Sequence, residues 1–392
     1  MQPPAWFPPG KILLDFGSRV ILLKRTAALL IVALGLSYLA TPVYRFPSPQ
    51  KFAGASLWNP YANMSGTWQL ANLHAHGRTW AGLTNGRQPD ADVVRAYEQR
   101  GYTVAGISNY HSIAGLRGVP TLPIYEHGYN VAKHHQLAIG AHGVDWFDIP
   151  LWQGVNQMQY VLDRVKRTAD LVAIAHPSTA YTADDLGKLT GYQLFELVNG
   201  PFWADALWDA ALSSGHAVWA IANDDTHDVT DPRRMAVAWT MIDAPSANAA
   251  DVIPALRAGR MYAVSAPTGR PEPPEATLSR VDLHGTTLEV SSAGSPATYA
   301  FIGQDGVVRK KVESTNSASY SLSPDDTYIR TEIRTDRTAI FLNPIVRYNG
   351  VGLESPAPAV HAAATWAQRL LIAVSCFVIV RVLWKRPRGT RV

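Results

Sequence analysis

From residue 66 onward the chain alternates short apolar runs with stretches of helical period. The apolar runs are TWQLANLHAH, YTVAGIS, HQLAIGA, DLVAIAHP, QLFELVNG and AVWAIANDD. Between them lie DADVVRAYEQRG, NQMQYVLDRVKRTAD and DALWDAALSSG, each closed by a glycine or a polar turn. Such alternation predicts an α/β unit over 66–266, with a parallel sheet and crossover helices. Around RPEPPEA (270–276) the texture changes to short alternating runs, TLEVSS, ATYAFIG and TYIRTEI, broken by Gly, Ser, Asn and Asp. They predict a small antiparallel, sandwich-like β module over 275–348. No internal repeat is visible.

The two ends read differently. Thr26–Tyr44 (TAALLIVALGLSYLATPVY) is free of charge and long enough to span a bilayer, and Lys24 and Arg25 precede it. An uncleaved anchor is the expectation; a cleaved signal peptide and a buried helix are the alternatives. A second span is expected over 362–384, where Arg369 and Arg381 interrupt the apolar run and must snorkel toward the headgroups. A buried or surface helix is the alternative there. The remaining segments are a cytoplasmic stretch over 1–25, a proline-rich linker over 45–65 and a basic tail over 385–392.

Charge is concentrated in those ends. The whole chain carries +4, with a pI near 9.0. Residues 1–44 hold +3 and residues 363–392 hold +6, so 45–362 is left with −5. A nucleic-acid-binding face on the globular part is therefore not expected. The positive-inside rule places both ends in the cytoplasm and the part between them outside it. With Cys376 as the only cysteine, a disulfide framework and a multi-cysteine zinc site are excluded, so a metal would need His, Asp and Glu.

Those residue types recur at strand ends. His74 and His76 close the first run, His135 opens another, His176 ends LVAIAHP, and Asp225 and His227 follow AVWAIAN. Glu126 falls in a connection just before HHQLAIG. Loops at one end of a barrel of parallel strands converge, so distant residues can meet there. An H-x-H pair at a strand end puts both rings on one side, and D-x-H repeats the geometry with an oxygen ligand. A carboxylate such as Glu126 can bridge two cations, whose bound water becomes a nucleophile near neutral pH. A lone histidine at a strand end is usually structural; the set together is what points to a metal.

NLHAHGRTWAG, GYTVAGISNYHSIAG, YEHGYN with HHQLAIG, AIAHPS, FELVNG and NDDTHD resemble the ordered motifs of the PHP superfamily, named for polymerase and histidinol phosphatase. The β module resembles that of its secreted or anchored, carbaryl-hydrolase-like branch. The resemblance covers about 66–266 and implies a distorted (β/α)7 barrel. It implies a first metal on His74, His76, Glu126 and Asp225, and a second on Glu126, His135 and His176. His227 would serve a third. The partners of that third cation are replaced by Ala81, Asn109 and Tyr110, so two divalent ions, Zn, Mn or Fe, are expected, unless His111 or His127 substitutes. Glu126, Asp225 and His227 are the expected catalytic residues.

Secondary expectations complete the picture. His134 should face solvent, since it neighbours His135 on a strand. Glu196 and Asn199 could orient the imidazoles and Asp224 could orient His227, or all three could simply satisfy strand ends. Arg78 and Tyr110 are candidate substrate contacts, with a solvated loop residue the equal alternative for Arg78. Trp80, Trp146, Trp152, Trp203, Trp208 and Trp219 either line a pocket or fill the core. The function expected is a membrane-anchored, extracytoplasmic hydrolase of a small-molecule phosphoester or carboxyl or carbamate ester. A non-catalytic tethered binding protein, or a structural envelope component, is the rival.

Overall fold

The computed structural model describes residues 16–115 and 122–384. Most of the expected cytoplasmic segment and the whole basic tail, residues 1–15 and 385–392, lie outside the described residues. The chain divides into two compact units, the terminal segments up to Val43 and from Val360, and the stretch Tyr44–Ala359.

The terminal unit holds helices α1 (Phe16–Ala40) and α6 (Ala362–Trp384). Both are long and apolar enough to cross a membrane. The first begins earlier than the expected 26 and stops at Ala40, two residues before Pro42, whose ring disfavours helix in the residue ahead of it. Arg25 lies 5.3 Å from the Trp384 ring centre, and Arg369 donates to the Leu39 carbonyl at 2.9 Å, so the helices run antiparallel. Arg369 thus satisfies a carbonyl that the end of α1 leaves without a helical partner. A Cβ on Gly35 would fall 2.6 Å from Cys376 Sγ, which shows how closely the helices approach.

In the large unit the strands that matter for the site are β1 (Trp68–Asn72), β2 (Val104–Ala105), β3 (Ile124–His127), β4 (Gln136–Ala141), β5 (Ala169–Ile174), β6 (Leu194–Asn199) and β7 (Trp219–Asn223). Helices α2 (Asp90–Glu98), α3 (Val155–Val165), α4 (Asp205–Ser213) and α5 (Ala249–Arg257) pack around them. Further strands are β8 (Ala238–Asp243), β9 (Met261–Ser265), β10 (Ala276–His284), β11 (Thr287–Gly294), β12 (Ala297–Gly303), β13 (Val307–Thr315), β14 (Ser317–Ser321), β15 (Tyr328–Arg334), β16 (Ala339–Leu342) and β17 (Ile345–Tyr348).

Among the described residues the pairings draw no closed parallel barrel. One sheet runs β7-β6-β5-β4-β3 and a second runs β13-β12-β15-β16-β9-β8-β1-β2. β5, β6 and β7 are mutually parallel and β1 is parallel to β2, but β4 is antiparallel to both β3 and β5. The cause is local for the first of these pairs. The connection 128–135 is too short for the crossover a parallel pair needs. Two single parallel bridges, Ala75 with Thr226 and Tyr110 with Glu126, join the two sheets at one end. β9 pairs with β16, so strands beyond residue 275 continue a sheet begun by β1.

A buried ion pair ties that later sheet to α4. Arg330 on β15 meets Asp209 on α4 with two bonds of 2.7 Å, and Tyr328 donates to the same carboxylate at 3.1 Å. Arg330 is 2% exposed and lies 5.3 Å from the Trp208 ring centre. Removing Asp209 leaves the buried Arg330 only its 3.6 Å contact with Glu332, so we expect Asp209→Ala to cost about 3 kcal/mol, the lower end for a broken buried pair. Denaturant unfolding of the full chain checks this; an unchanged midpoint would show that water reaches Arg330.

Candidate metal centre

All the candidate ligands collect at one end of the sheets. His74 and His76 follow β1, His176 follows β5, Asp225 follows β7, and Glu126 lies within β3 rather than in a connection. His135 joins them because β4 runs the other way, which brings the residue before its first position beside the end of β3. Gly128 makes the room: a Cβ there would sit 2.3 Å from the His135 ring.

Glu126 is fully buried at the centre. Its Oε1 lies 2.7 Å from His135 Nδ1 and 3.1 Å from His176 Nε2. Its Oε2 lies 3.1 Å from His76 Nε2 and 3.5 Å from His74 Nε2. Asp225 Oδ1 stands 3.2 Å from both of those nitrogens. Two groups therefore form, His74 with His76 and Asp225, and His135 with His176 and Glu126. Apart from the 2.7 Å contact of His135, which is a hydrogen-bond distance, these separations lie near the roughly 3.3–3.4 Å edge of a tetrahedron with metal bonds of about 2.0–2.1 Å.

The donor atoms fit a cation in a second respect. His74 Nε2, both nitrogens of His76, Glu126 Oε2 and Asp225 Oδ1 are buried and have no hydrogen-bond partner. Burying such groups unpaired costs about 1–3 kcal/mol each, and a shared cation satisfies most of them at once.

The surrounding shell sets the tautomers. His74 Nδ1 lies 2.9 Å from Glu196 Oε1, which as a carboxylate oxygen can only accept, so Nδ1 carries a proton and Nε2 is the nitrogen that presents a lone pair once the ring is neutral, as a cation would require. Thr179 gives its hydroxyl proton to the His176 carbonyl, so His176 Nδ1, at 3.1 Å, must donate to Thr179 Oγ1. Its Nε2 is thereby freed toward Glu126. Glu196 also accepts from the His176 backbone at 2.6 Å, Asn223 at 2.8 Å and Asn199 at 3.0 Å. Asn199 reaches Asp225 Oδ2 at 3.2 Å, which leaves Oδ1 for the cluster. His176 and Asp225 hold left-handed backbone, φ 30° and 49°, the kind of strain found where a site is over-determined.

Electrostatics follow from the packing. Burial pulls the pKa of His74 and His76 down, but Asp225, Glu126 and, for His74, Glu196 outweigh it and hold both above the ordinary imidazole value. His176 is raised in the same way by Glu126. Burial pushes Glu126 up, and the His135 and His74 imidazoles reverse this and hold it well below the carboxylate range. Asp225 is lowered likewise by His74 and His76. Burial and the neighbouring His76 push His227 down to about 4.

His227 differs from the other six. Its ring stacks on His76 at 4.3 Å, its Nδ1 lies 3.0 Å from the Asp225 carbonyl, and its buried Nε2 has no partner. Tyr110 also stacks on His76, at 4.6 Å, and its backbone forms a single parallel bridge with Glu126. Asn109 accepts from Gly77 N and donates to Asp90, so it fastens loops, and Ala81 sits in a left-handed turn. His111 and His127 present no free ring nitrogen in this structure. Both nitrogens of each are occupied, by Asp145 O and Gly128 N, and by Gln136 and Phe147 O.

Several secondary expectations are corrected. His134 is buried, not solvent-facing, because the strand edge carrying it is covered by Tyr181 and the Ala180 carbonyl. Asp224 does not orient His227; it accepts from the backbone of Ala236, Val237 and Ala238 and from Tyr97. Arg78 donates to the Arg87 carbonyl as a loop residue. Trp208 and Trp219 are core, Trp203 packs on Phe341, and Trp80, Trp146 and Trp152 are exposed. Asn223 and Arg234 were not singled out from the sequence. Asn223 could have been, as the strand-end polar residue before Asp224 and Asp225, whereas Arg234 reaches Asp225 only through the folded loop.

No protein-family model matches this chain, and no curated protein matches it in sequence. Among solved structures it is similar to a two-domain protein from Bacteroides vulgatus ATCC 8482 containing a predicted PHP-like metal-dependent phosphoesterase. Identity is 13%, the TM-score is 0.40, and the match covers 80% of this chain and 98% of that one.

Three outcomes follow from the cluster and the residues around it. Because the carboxylates shift His74, His76 and His176 toward the protonated form when no cation is bound, loading chelator-stripped protein with Zn or Mn at neutral pH should release protons. Affinity should then rise with pH; calorimetry in buffers of different ionisation enthalpy measures it, and buffer-independent heats would contradict it. Glu196→Ala should weaken metal binding about 10–100-fold. Asp224→Ala should lower the unfolding midpoint and leave metal affinity near wild type.

Proposed function

We propose that this chain is a membrane-anchored metal-dependent hydrolase of the PHP type, which holds two divalent cations and cleaves an ester-type bond. The observation that carries the reading is the buried Glu126 carboxylate, whose two oxygens address two separate sets of imidazoles. His74, His76, Asp225 and Glu126 Oε2 would hold one cation, and Glu126 Oε1, His135 and His176 the other. The succession β1, β7, β6, β5, β4, β3, β2, joined at the site end by the two single bridges, supports a distorted seven-stranded barrel.

Bound divalent cations supply Lewis acidity, acidifying water and polarising a carbonyl or phosphoryl oxygen. The chain's own groups do the rest. His227, with a pKa near 4, is neutral at physiological pH, and its Nε2 lone pair accepts a proton beside the cluster. Tyr110 is kept protonated, since burial and the nearby Glu126 and Asp225 push its phenol upward, so it donates to charge developing on a substrate oxygen. Arg234 sits 3.8 Å from Asp225 Oδ2 and adds a fixed positive charge at the same edge. Tyr110 stacked on His76, in place of an imidazole or carboxylate ligand, supports two cations rather than three.

The bond is a phosphoester or a carboxyl or carbamate ester. Antiparallel α1 and α6, with basic residues at their outer ends, support a topology with both ends cytoplasmic and Tyr44–Ala359 outside.

The test is metal content and turnover of the purified full chain. We expect about two cations per chain, with His176→Ala and Asp225→Ala each losing cation and abolishing one activity among aryl phosphate, acetate and carbamate. Wild-type protein that stays metal-free and inert after addition of Zn or Mn would make this a binding scaffold instead.

A further inference from the structure

At the opposite end of β6 and β7 from the metal centre lies a second cavity, of about 660 Å³. The chain entering the strands lines it, 189–193 ahead of β6 and 216–218 ahead of β7, and the segment 350–355 forms a further wall. Its size falls within the roughly 300–1,000 Å³ of small-molecule sites.

The walls are already fixed. His216 is buried, and its Nε2 lies 3.1 Å from the Gly187 carbonyl, which can only accept, so Nε2 carries the proton. Burial lowers the pKa of the ring and keeps it neutral, so Nδ1 accepts from the Ser355 hydroxyl at 2.6 Å. That bond fastens the segment 350–355 to the start of β7. Trp219 donates to the Arg257 carbonyl at 3.1 Å, and Trp58 meets Tyr348 edge to face at 5.9 Å. Little conformational freedom is left to lose on binding.

Polar groups of the lining lack partners. Tyr192 is 5% exposed, and its hydroxyl is buried without a hydrogen-bond partner, as is the Trp58 indole nitrogen. Burying such groups unpaired is costly, and an indole N–H can only be satisfied by an acceptor. Two cations belong to the same lining. Arg257 gives one N–H to the Asp170 carbonyl at 2.8 Å and meets no carboxylate among the described residues. Lys166 has Asp163 at 3.6 Å, and a Cβ on Gly191 would fall 3.6 Å from its Nζ, so the ammonium lies over the chain next to Tyr192. Glu354 is the only acid among the described lining residues, so cations outnumber it two to one. Trp58, Val218 and Leu353 supply apolar wall.

We propose that this cavity binds a small amphiphilic carboxylate, with its apolar body against Trp58 and Leu353 and its charged end toward Lys166 and Arg257. A carboxylate only accepts, and its two oxygens offer about four lone-pair sites, enough for the cations and for a wall donor together. The cavity is separate from the metal centre, and the proposal does not depend on turnover there.

The experiment is calorimetric titration of 2-naphthoate into the full chain in lipid nanodiscs, with empty nanodiscs as the blank. The protein is stripped of metal and kept in chelator, so that no cation at the metal centre can hold the carboxylate. We expect saturable binding at about one site per chain, about tenfold weaker for uncharged 2-naphthalenemethanol, and about tenfold weaker for 2-naphthoate in Lys166→Gln, Arg257→Gln and Tyr192→Phe. Tyr192→Phe removes a hydroxyl that has no partner within the protein, so its unfolding midpoint should stay at or above that of wild type. Weaker binding by this variant then reports the lost donor rather than a damaged fold. No saturation above the blank, equal affinity for the uncharged analogue, or wild-type affinity in all three variants would each overturn the proposal.

Discussion

A carboxylate with no access to water cannot stay ionised unless its surroundings replace that water, and Glu126 occupies such a place. Its two oxygens face four imidazoles, and the arrangement of the site end of both sheets can be understood as meeting this demand. The antiparallel β4 delivers His135 to the same end at which β1, β5 and β7 deliver His74, His76, His176 and Asp225. Opposed charges in low dielectric attract strongly, but they leave several buried donor and acceptor atoms without hydrogen bonds. A shared cation would answer that shortage more completely than protons can, since one ion satisfies several lone pairs.

Precision in the cluster comes from residues that never face it directly. Glu196 accepts from His74, from the His176 backbone, from Asn199 and from Asn223, and so sets two ring orientations from one buried carboxylate. Asn199 in turn occupies the second oxygen of Asp225. Tyr110 and His227 both stack on His76, which restrains the ligand ring and occupies space with aromatic carbon. Rigid support of this kind lets a site hold geometry to a fraction of an ångström. It also explains why left-handed backbone at His176 and Asp225 is tolerated there.

The rest of the large unit stabilises that end. β8 and β9 carry the sheet from β1 to β16, and the Asp209–Arg330 pair fastens α4 to β15. Asp224, next to a candidate ligand in sequence, spends its carboxylate on three backbone N–H groups at the start of β8. Burial pushes its pKa up to about 6, while those bonds and Tyr97 hold it down. In the terminal unit, α1 and α6 carry apolar surfaces suited to hydrocarbon, with Arg369 turned onto the last turn of α1.

By itself the sequence determined the residue types that meet and the elements that carry them. Periodicity marks β1, β4 to β7 and the main helices, because local side-chain alternation is a property of neighbouring residues. The charge-free runs at both ends were equally legible, since length and composition decide them. Candidate ligands were legible too, as histidines and acids at strand ends. Tertiary structure decided what depends on distant partners. Strand direction was one such matter: β4 reads like its parallel neighbours, yet a short connection turns it around and brings His135 beside Glu126. Burial was another, as with His134, which lies under Tyr181, and Asp224, which is claimed by backbone 14 residues or fewer away rather than by His227. The exposed pair Trp80 and Trp146 belongs to the same class, because only a contact between two loops distinguishes them from the tryptophans of the core.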